Sequence, residues 1–213
     1  MIFAESVSDT LIWGIREIRG SSVAMLDLLE NKTLYLPTLQ KMKSEQRKRE
    51  WLSVRLLLKE LLGEEKAIAY TPAGKPHLTD SSYHIGISHS RNHAAVILGK
   101  QFPVGIDIES VSPRVHQISA RFMSEAESQH LSTDNETIHL LLHWSAKECM
   151  FKTMDETGID FRAHLHVAPF EPVMNRLSFF EAHETLTEQR QSFRMNYIAT
   201  TDYVVVFTEK RPI

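Results

Sequence analysis

The chain has 213 residues, 42% hydrophobic and 24% charged, with a net charge of −3, the profile of a soluble globular protein with one large domain or two smaller ones. Its single cysteine, Cys149, excludes an intrachain disulfide framework, and no apolar run is long enough to cross a bilayer. The opening MIFAESVSDTLIWGI has no basic leader and no small-residue cleavage site, so a cytoplasmic location is expected.

In chain order, the first clear signal is a helix over 44–62, with Ser44 as N-cap, apolar Trp51, Leu52, Leu56, Leu58 and Leu62, and Gly63 as its stop. Around its start Lys41, Lys43, Arg47, Lys48 and Arg49 face a single acid, Glu45. A patch this local suits a discrete anionic ligand better than a nucleic-acid surface, and no stacking aromatics interleave with it. Strands are predicted over 67–70, 83–88, 94–98 and 104–109. A turn-forming stretch, Ser110-Val111-Ser112-Pro113, opens a second half at about residue 111. There a helix over 136–154 precedes strands over 165–170, 177–181, 193–199 and 203–208. The connections are too short for many parallel crossovers, so the expected class is α+β. Two similar, pseudo-symmetric halves, 1–110 and 111–213, each a long helix on a small and largely antiparallel sheet, would leave a site in the crevice between them.

Four stretches carry chemistry. In Gly105-Ile106-Asp107-Ile108-Glu109, strand alternation puts Ile106 and Ile108 on one face and Asp107 and Glu109 together on the other. Two carboxylates at a strand end can begin a hard-cation site; taken alone, the pattern better fits a half-buried strand with a solvated face. On the second helix Trp144, Glu148 and Lys152 fall at i, i+4 and i+8 and line one stripe. Alone, Glu148 and Lys152 read as a surface ion pair. As a third carboxylate, Glu148 would complete an octahedral magnesium site. The turn Gly86-Ile87-Ser88-His89-Ser90-Arg91-Asn92 offers hydroxyls, an imidazole and backbone N–H groups useful around phosphate. It fails as a nucleophile elbow, having Ser90 where glycine is required and no helix after it. Gly74-Lys75-Pro76 is a tight turn presenting a lysine. Zinc has little support: His139 with His143 and His164 with His166 have suitable spacings but no clear third ligand.

Taken in order, GKPHL, ISHS, GIDIE, RFMSEAE and WSAKECMFK resemble the 4'-phosphopantetheinyl transferase superfamily, in its larger, two-halved (Sfp-type) members. Two departures from the common pattern, Gly86 for asparagine and Met123 for phenylalanine, remove no ligand. The resemblance implies a transferase that moves the phosphopantetheine arm of coenzyme A onto a serine of an apo acyl or peptidyl carrier protein and releases 3',5'-ADP. It implies Mg2+ held by Asp107, Glu109 and Glu148, and Lys152 near the phosphates and the incoming hydroxyl. Lys75, Ser88 and His89 become coenzyme A contacts, and Arg47, Arg49 and Arg55 candidates for the 3'-phosphate. Glu127, closing the F-x-x-x-x-E element begun at Phe122, is placed near the active site as a catalytic candidate. A monomer acting without nucleic acid or membrane is expected. The proton acceptor stays open between Glu148 and water. The rival from another class is a non-catalytic module that binds coenzyme A or a carrier protein.

Overall fold

The computed structural model describes residues 3–8 and 10–211, with side chains from residue 10 onward. It is a mixed helix and sheet structure whose three sheets are antiparallel. The chain divides into two compact units at Gln101/Phe102.

In unit 1, strands β1 (Phe3–Ser8), β2 (Leu11–Glu17), β5 (His84–His89) and β6 (His93–Gly99) form a sheet in the order β1-β2-β6-β5. A separate hairpin pairs β3 (Ile68–Tyr70) with β4 (Pro76–Leu78). Helices α1 (Ser22–Asp27) and α2 (Lys32–Lys41) precede α3 (Glu45–Leu62). Ser44 caps α3, its hydroxyl accepting from the Arg47 N–H, and Gly63 ends it at φ 74°, returning its N–H to the Lys59 carbonyl. Helix α3 lies on β2 and β6. Val54, Leu57 and Leu58 pack with Leu78, Ile85, Val96 and Leu98, while Leu52 and Leu56 pack with Met25, Leu29 and Tyr35. Each such buried side chain is worth about 1.5–3 kcal/mol. The hairpin β1–β2 and the helices α1 and α2 have no counterpart among the predicted elements. In β2 the burial does not alternate, and α2 contains Pro37, so neither carries a clean period.

In unit 2, β7 (Val104–Ser110), β8 (Leu165–Val167), β9 (Ser178–Glu184), β10 (Ser192–Ala199) and β11 (Tyr203–Glu209) form a sheet in the order β7-β11-β10-β9-β8. A 3-10 turn (Pro113–Gln117) and the short helices α4 (Ser119–Phe122) and α5 (Glu125–Ser128) lead to α6 (Glu136–Thr153), and α7 (Phe161–His164) precedes β8. Helix α6 crosses β7 and β11, and its Leu141, Leu142, Ala146, Cys149 and Met150 join Phe180, Met195, Tyr197, Val204 and Val206 in one core. The predicted strand over 165–170 stops at Val167; Pro169, just beyond, has no N–H to give a ladder.

One difference alters the layout of the site. Strand β7 pairs with β11, Asp107 opposite Val206 and Glu109 opposite Val204, so the strand expected to close the first half opens the second. The boundary falls at 101/102 rather than at 110 because β7 is hydrogen-bonded into the C-terminal sheet. Asp107, Glu109 and Glu148 therefore belong to one unit.

Candidate functional site

Strand β7 is buried from Val104 to Ile108. The face carrying Gly105, Asp107 and Glu109 is packed against α6, so the solvated-face reading of this strand does not hold. A Cβ on Gly105 would meet the Cys149 carbonyl oxygen at 2.5 Å; glycine here lets α6 approach the strand closely. The stripe of α6 then meets the acids. Lys152 Nζ donates to Asp107 Oδ1 at 2.7 Å and to the Ile106 carbonyl at 2.9 Å. Trp144 Nε1 donates to Glu109 Oε1 at 3.1 Å, and half-buried Glu148 stands on the helix between these two residues.

The three acids are electrostatically coupled. Burial, with the Asp107 charge second, pushes the Glu109 carboxyl up to about 7 against the opposing Trp144 hydrogen bond, and Glu148 adds to the rise. Glu148 is also raised, by burial and then by Asp107, against the pull of Lys152. Burial works against the Lys152 charge, yet Asp107 and its other acidic neighbours more than offset this and hold the ammonium above its ordinary range. Carboxyls that disfavour one another's ionisation would be relieved by a divalent cation. The donor set is all carboxylate oxygen, which suits a hard ion. Among the described residues no three His, Cys, Asp or Glu side chains already stand in ligating arrangement; one oxygen each of Asp107 and Glu109 is engaged by Lys152 and Trp144.

In unit 1, the N-terminal end of α3 meets the turn between β5 and β6. Gln46 Nε2 donates to the Arg91 carbonyl at 2.8 Å, and His89 Nδ1 lies 3.6 Å from Glu50 Oε2. Half-buried Arg49 and exposed His89 lie at this junction, Arg49 Nη1 donating to Gln46 Oε1 at 3.4 Å, while Arg47 is exposed and Ser88 half-buried. Arg49 Nη2 donates to the Ile18 carbonyl at 2.9 Å, while its Nε and the Ser90 hydroxyl are buried with no hydrogen-bond partner among the described residues. Lys75 stands in the turn before β4, where Gly74 takes φ 82° and the Lys75 N–H donates to Thr71 Oγ1. Arg55 departs from the expectation. It is 5% exposed, its guanidinium lies 3.5 Å from the centre of the Trp51 ring, and Nη1 donates to the Trp51 carbonyl. Burial lowers its pKa despite the help of Tyr70. That cation is consumed by the core of unit 1 and is not presented to a ligand.

Against this geometry stand three similarities. The family profile described as the 4'-phosphopantetheinyl transferase superfamily matches residues 103–208, which contain β7, α6 and every carboxylate of the seam. Residues 103–208 thus carry the pattern of that superfamily. A Synechocystis sp. protein, slr0495, whose name provisionally calls it a 4'-phosphopantetheinyl transferase, is 30% identical over 122 residues, covering 50% of each chain. The 4'-phosphopantetheinyl transferase Sfp of Bacillus subtilis is 36% identical over 83 residues, covering 37% of each chain. The chain thus matches half or less of the length of these curated relatives.

Within the matched segment, Glu127 is not brought to the carboxylate seam. It is 6% exposed. Its Oε2 accepts from Lys147 Nζ and the Ser124 N–H, both at 2.8 Å, and its Oε1 accepts from the Val167 N–H at 2.9 Å. With the Ser124 hydroxyl it closes a capping box on α5. Burial opposes its charge, but His143, Lys147 and Ser124 together hold it well below the usual carboxylate range. Sequence reasoning missed its partner. Lys147 is 0% exposed and also donates to the Phe122 carbonyl at 2.6 Å; a lysine beside Glu148 in W-x-x-K-E was the available signal. The Trp144–Glu109 and His89–Glu50 contacts were likewise unforeseen, since each joins residues far apart in sequence.

Proposed function

We propose that the protein is a magnesium-dependent phosphopantetheinyl transferase of the larger, two-halved type, acting on coenzyme A and an apo acyl or peptidyl carrier protein. The supporting observation is the seam between β7 and α6, where Lys152 bonds Asp107, Trp144 bonds Glu109 and Glu148 is electrostatically coupled to both acids, in the segment matched by the superfamily profile. Asp107, Glu109 and Glu148 would hold Mg2+, which when bound supplies charge neutralisation to a pyrophosphate. Lys152 contributes a fixed cation whose charge its acidic neighbours preserve, suited to the growing charge of the leaving phosphate.

The carrier serine oxygen forms a bond to the phosphorus bearing pantetheine, the bond from that phosphorus to the bridging oxygen breaks, and 3',5'-ADP departs with the electron pair. The serine proton passes to Glu148 or to a water beside it; a bound cation would lower the basicity of a carboxylate that holds it, so Glu148 would not act unaided. Positioning and charge stabilisation dominate such transfers. Lys75, Ser88, His89, Arg47 and Arg49 are assigned to the phosphates of coenzyme A, and the unpartnered Ser90 hydroxyl and Arg49 Nε favour an anionic guest at that end of unit 1. Glu127 is a positioning residue in this scheme. Pseudo-symmetric halves serving one shared site, a monomer and a cytoplasmic setting complete the proposal as expectations from the sequence; no helix among the described residues is long and apolar enough to cross a membrane.

Intact-mass spectrometry of a panel of apo-carrier proteins, incubated with coenzyme A, Mg2+ and this protein, should show the mass gain of one phosphopantetheine on at least one carrier, with release of 3',5'-ADP. No gain on any carrier, with coenzyme A still retained in ultrafiltration, would turn the assignment to a binding module.

A further inference from the structure

The W-x-x-K-E stretch contributes Lys147 to the buried network and Glu148 to the acidic seam, which leaves the tryptophan without a role. Trp144 is more than filling. Its ring is clamped edge-on by Phe122 at 5.4 Å between centroids and tilted against Phe161 at 5.6 Å. A ring held on two sides has its one polar atom aimed, and Nε1–H points at Glu109 Oε1 from 3.1 Å. An indole N–H only donates, so this contact selects the orientation of a carboxylate and cannot itself compete as a ligand.

We propose that Trp144 is a positioning residue that orients the Glu109 carboxylate for its divalent ion through a single indole hydrogen bond. The inference rests on the metal-site reading given above. The logic is that of outer-sphere partners at metal centres, which fix the orientation of a ligand without touching the ion and whose loss weakens binding about 10- to 100-fold. The two clamps of the seam have different consequences. Lys152 places a positive charge on Asp107 that an incoming cation must displace or tolerate. Trp144 carries no charge and leaves the second oxygen of Glu109 outside its hydrogen bond. The aromatic clamp, which a phenylalanine would preserve, is separable from the hydrogen bond, which it would delete.

The test uses Mg2+ alone on the full chain, without coenzyme A or carrier. The protein has three tryptophans, so a 15N–1H spectrum should give three indole signals, and Trp144→Phe assigns one of them. In the wild type that signal should move on Mg2+ titration while those of Trp13 and Trp51 stay in place. Trp144→Phe should weaken Mg2+ binding about tenfold or more, with its melting temperature checked in parallel. At saturating Mg2+ its kcat should largely recover, a split that simple loss of folding does not produce. In the Glu109→Gln background Trp144→Phe should have little further effect on Mg2+ affinity, because the hydrogen bond acts through Glu109. A wild type that binds Mg2+ with its Trp144 signal unmoved, or a folded Trp144→Phe with unchanged affinity, overturns the positioning role and leaves the metal site standing. If the wild type binds no Mg2+ at all, the metal reading itself fails. Should Trp144→Phe not fold, the wild-type titration read against Glu109→Gln, in which the indole signal should cease to respond, decides the matter.

Discussion

Unit 2 holds two sets of buried acids that face opposite ways electrostatically. Around Glu127 every carboxylate oxygen is met by a donor, two backbone N–H groups and Lys147, and its affinity for a proton falls. Around Glu109 and Glu148 burial and the neighbouring acids outweigh the Trp144 hydrogen bond and the Lys152 charge, and affinity for a proton rises, to about 7 for Glu109. Burial penalises the charge in both places. The difference lies in whether the chain itself supplies the compensating donors. A satisfied buried carboxylate stabilises a fold; an under-satisfied one is kept at a cost to the fold, and that cost is what a ligand can relieve.

The sharpest way to break this contrast is to make the same substitution at both places. Glu127→Gln leaves Lys147 buried without its counter-charge, and breaking a buried pair in this way costs about 3–5 kcal/mol. Denaturant unfolding should show that loss, and a partner change, Lys147→Met, added to Glu127→Gln should return part of it. Glu148→Gln should do the reverse. Stability should hold or rise, since a charge opposed by burial and by Asp107 is removed, while transfer to a carrier should fall by about a hundredfold or more. If Glu127→Gln were fully stable and inactive, Glu127 would return to the catalytic group.

Acid separates the same two clusters. His139 is 1% exposed, accepts the Ser132 N–H at Nδ1, and has its pKa lowered from 6.5 to about 4 by burial and then by His143. Between those values the unfolded chain takes up a proton that the folded chain refuses, so stability falls as pH drops from about 6.5 towards 4, by up to about 3 kcal/mol from this group. Glu127 adds to the loss: its folded-state pKa lies below the ordinary 4.5, so its contribution is present above 4.5 and disappears as pH falls further. Glu109 runs the other way, its raised pKa making protonation favour the folded chain. The two opposing groups are separated by substitution: on going from pH 7 to pH 4.5, His139→Phe should lose less stability, or gain more, than the wild type in denaturant unfolding.

Much of this layout was legible in the sequence, and the limits have physical causes. Helices α3 and α6 and the strands β5, β6, β7, β10 and β11 announce themselves through apolar runs with marked ends. The acids of GIDIE and Glu148 were legible as types at a spacing. The face on which they fall was not, because β7 is buried on both faces and alternation then ceases to mark an inside. Arg55 was assigned to a ligand although Trp51 stands four residues before it on the same helix, close enough to take the guanidinium onto its ring. Glu127 was placed near the site by the F-x-x-x-x-E resemblance; its buried role was not legible, because it depends on Lys147 and the Val167 N–H, contacts across 20 and 40 positions of chain.

The smallest expected effect tests what brings the seam together. Gly105 has an ordinary backbone conformation and is set apart by space alone: an added methyl would stand 2.5 Å from the Cys149 carbonyl oxygen and 3.1 Å from Thr153 Cγ2. Neither backbone can yield freely, since β7 is laddered to β11 and Cys149 Sγ donates to the Val206 carbonyl. Gly105→Ala should therefore push α6 outward and cost about 1–3 kcal/mol, as overpacking of a filled core does. The displacement would separate Lys152 from Asp107 and Trp144 from Glu109, so activity should fall more than the loss of stability accounts for at a temperature where the variant is still folded. A Gly105→Ala protein with wild-type kcat would mean that the acids and the helix stripe need not be this close, and the contrast between a satisfied and an expectant cluster would lose its geometric basis.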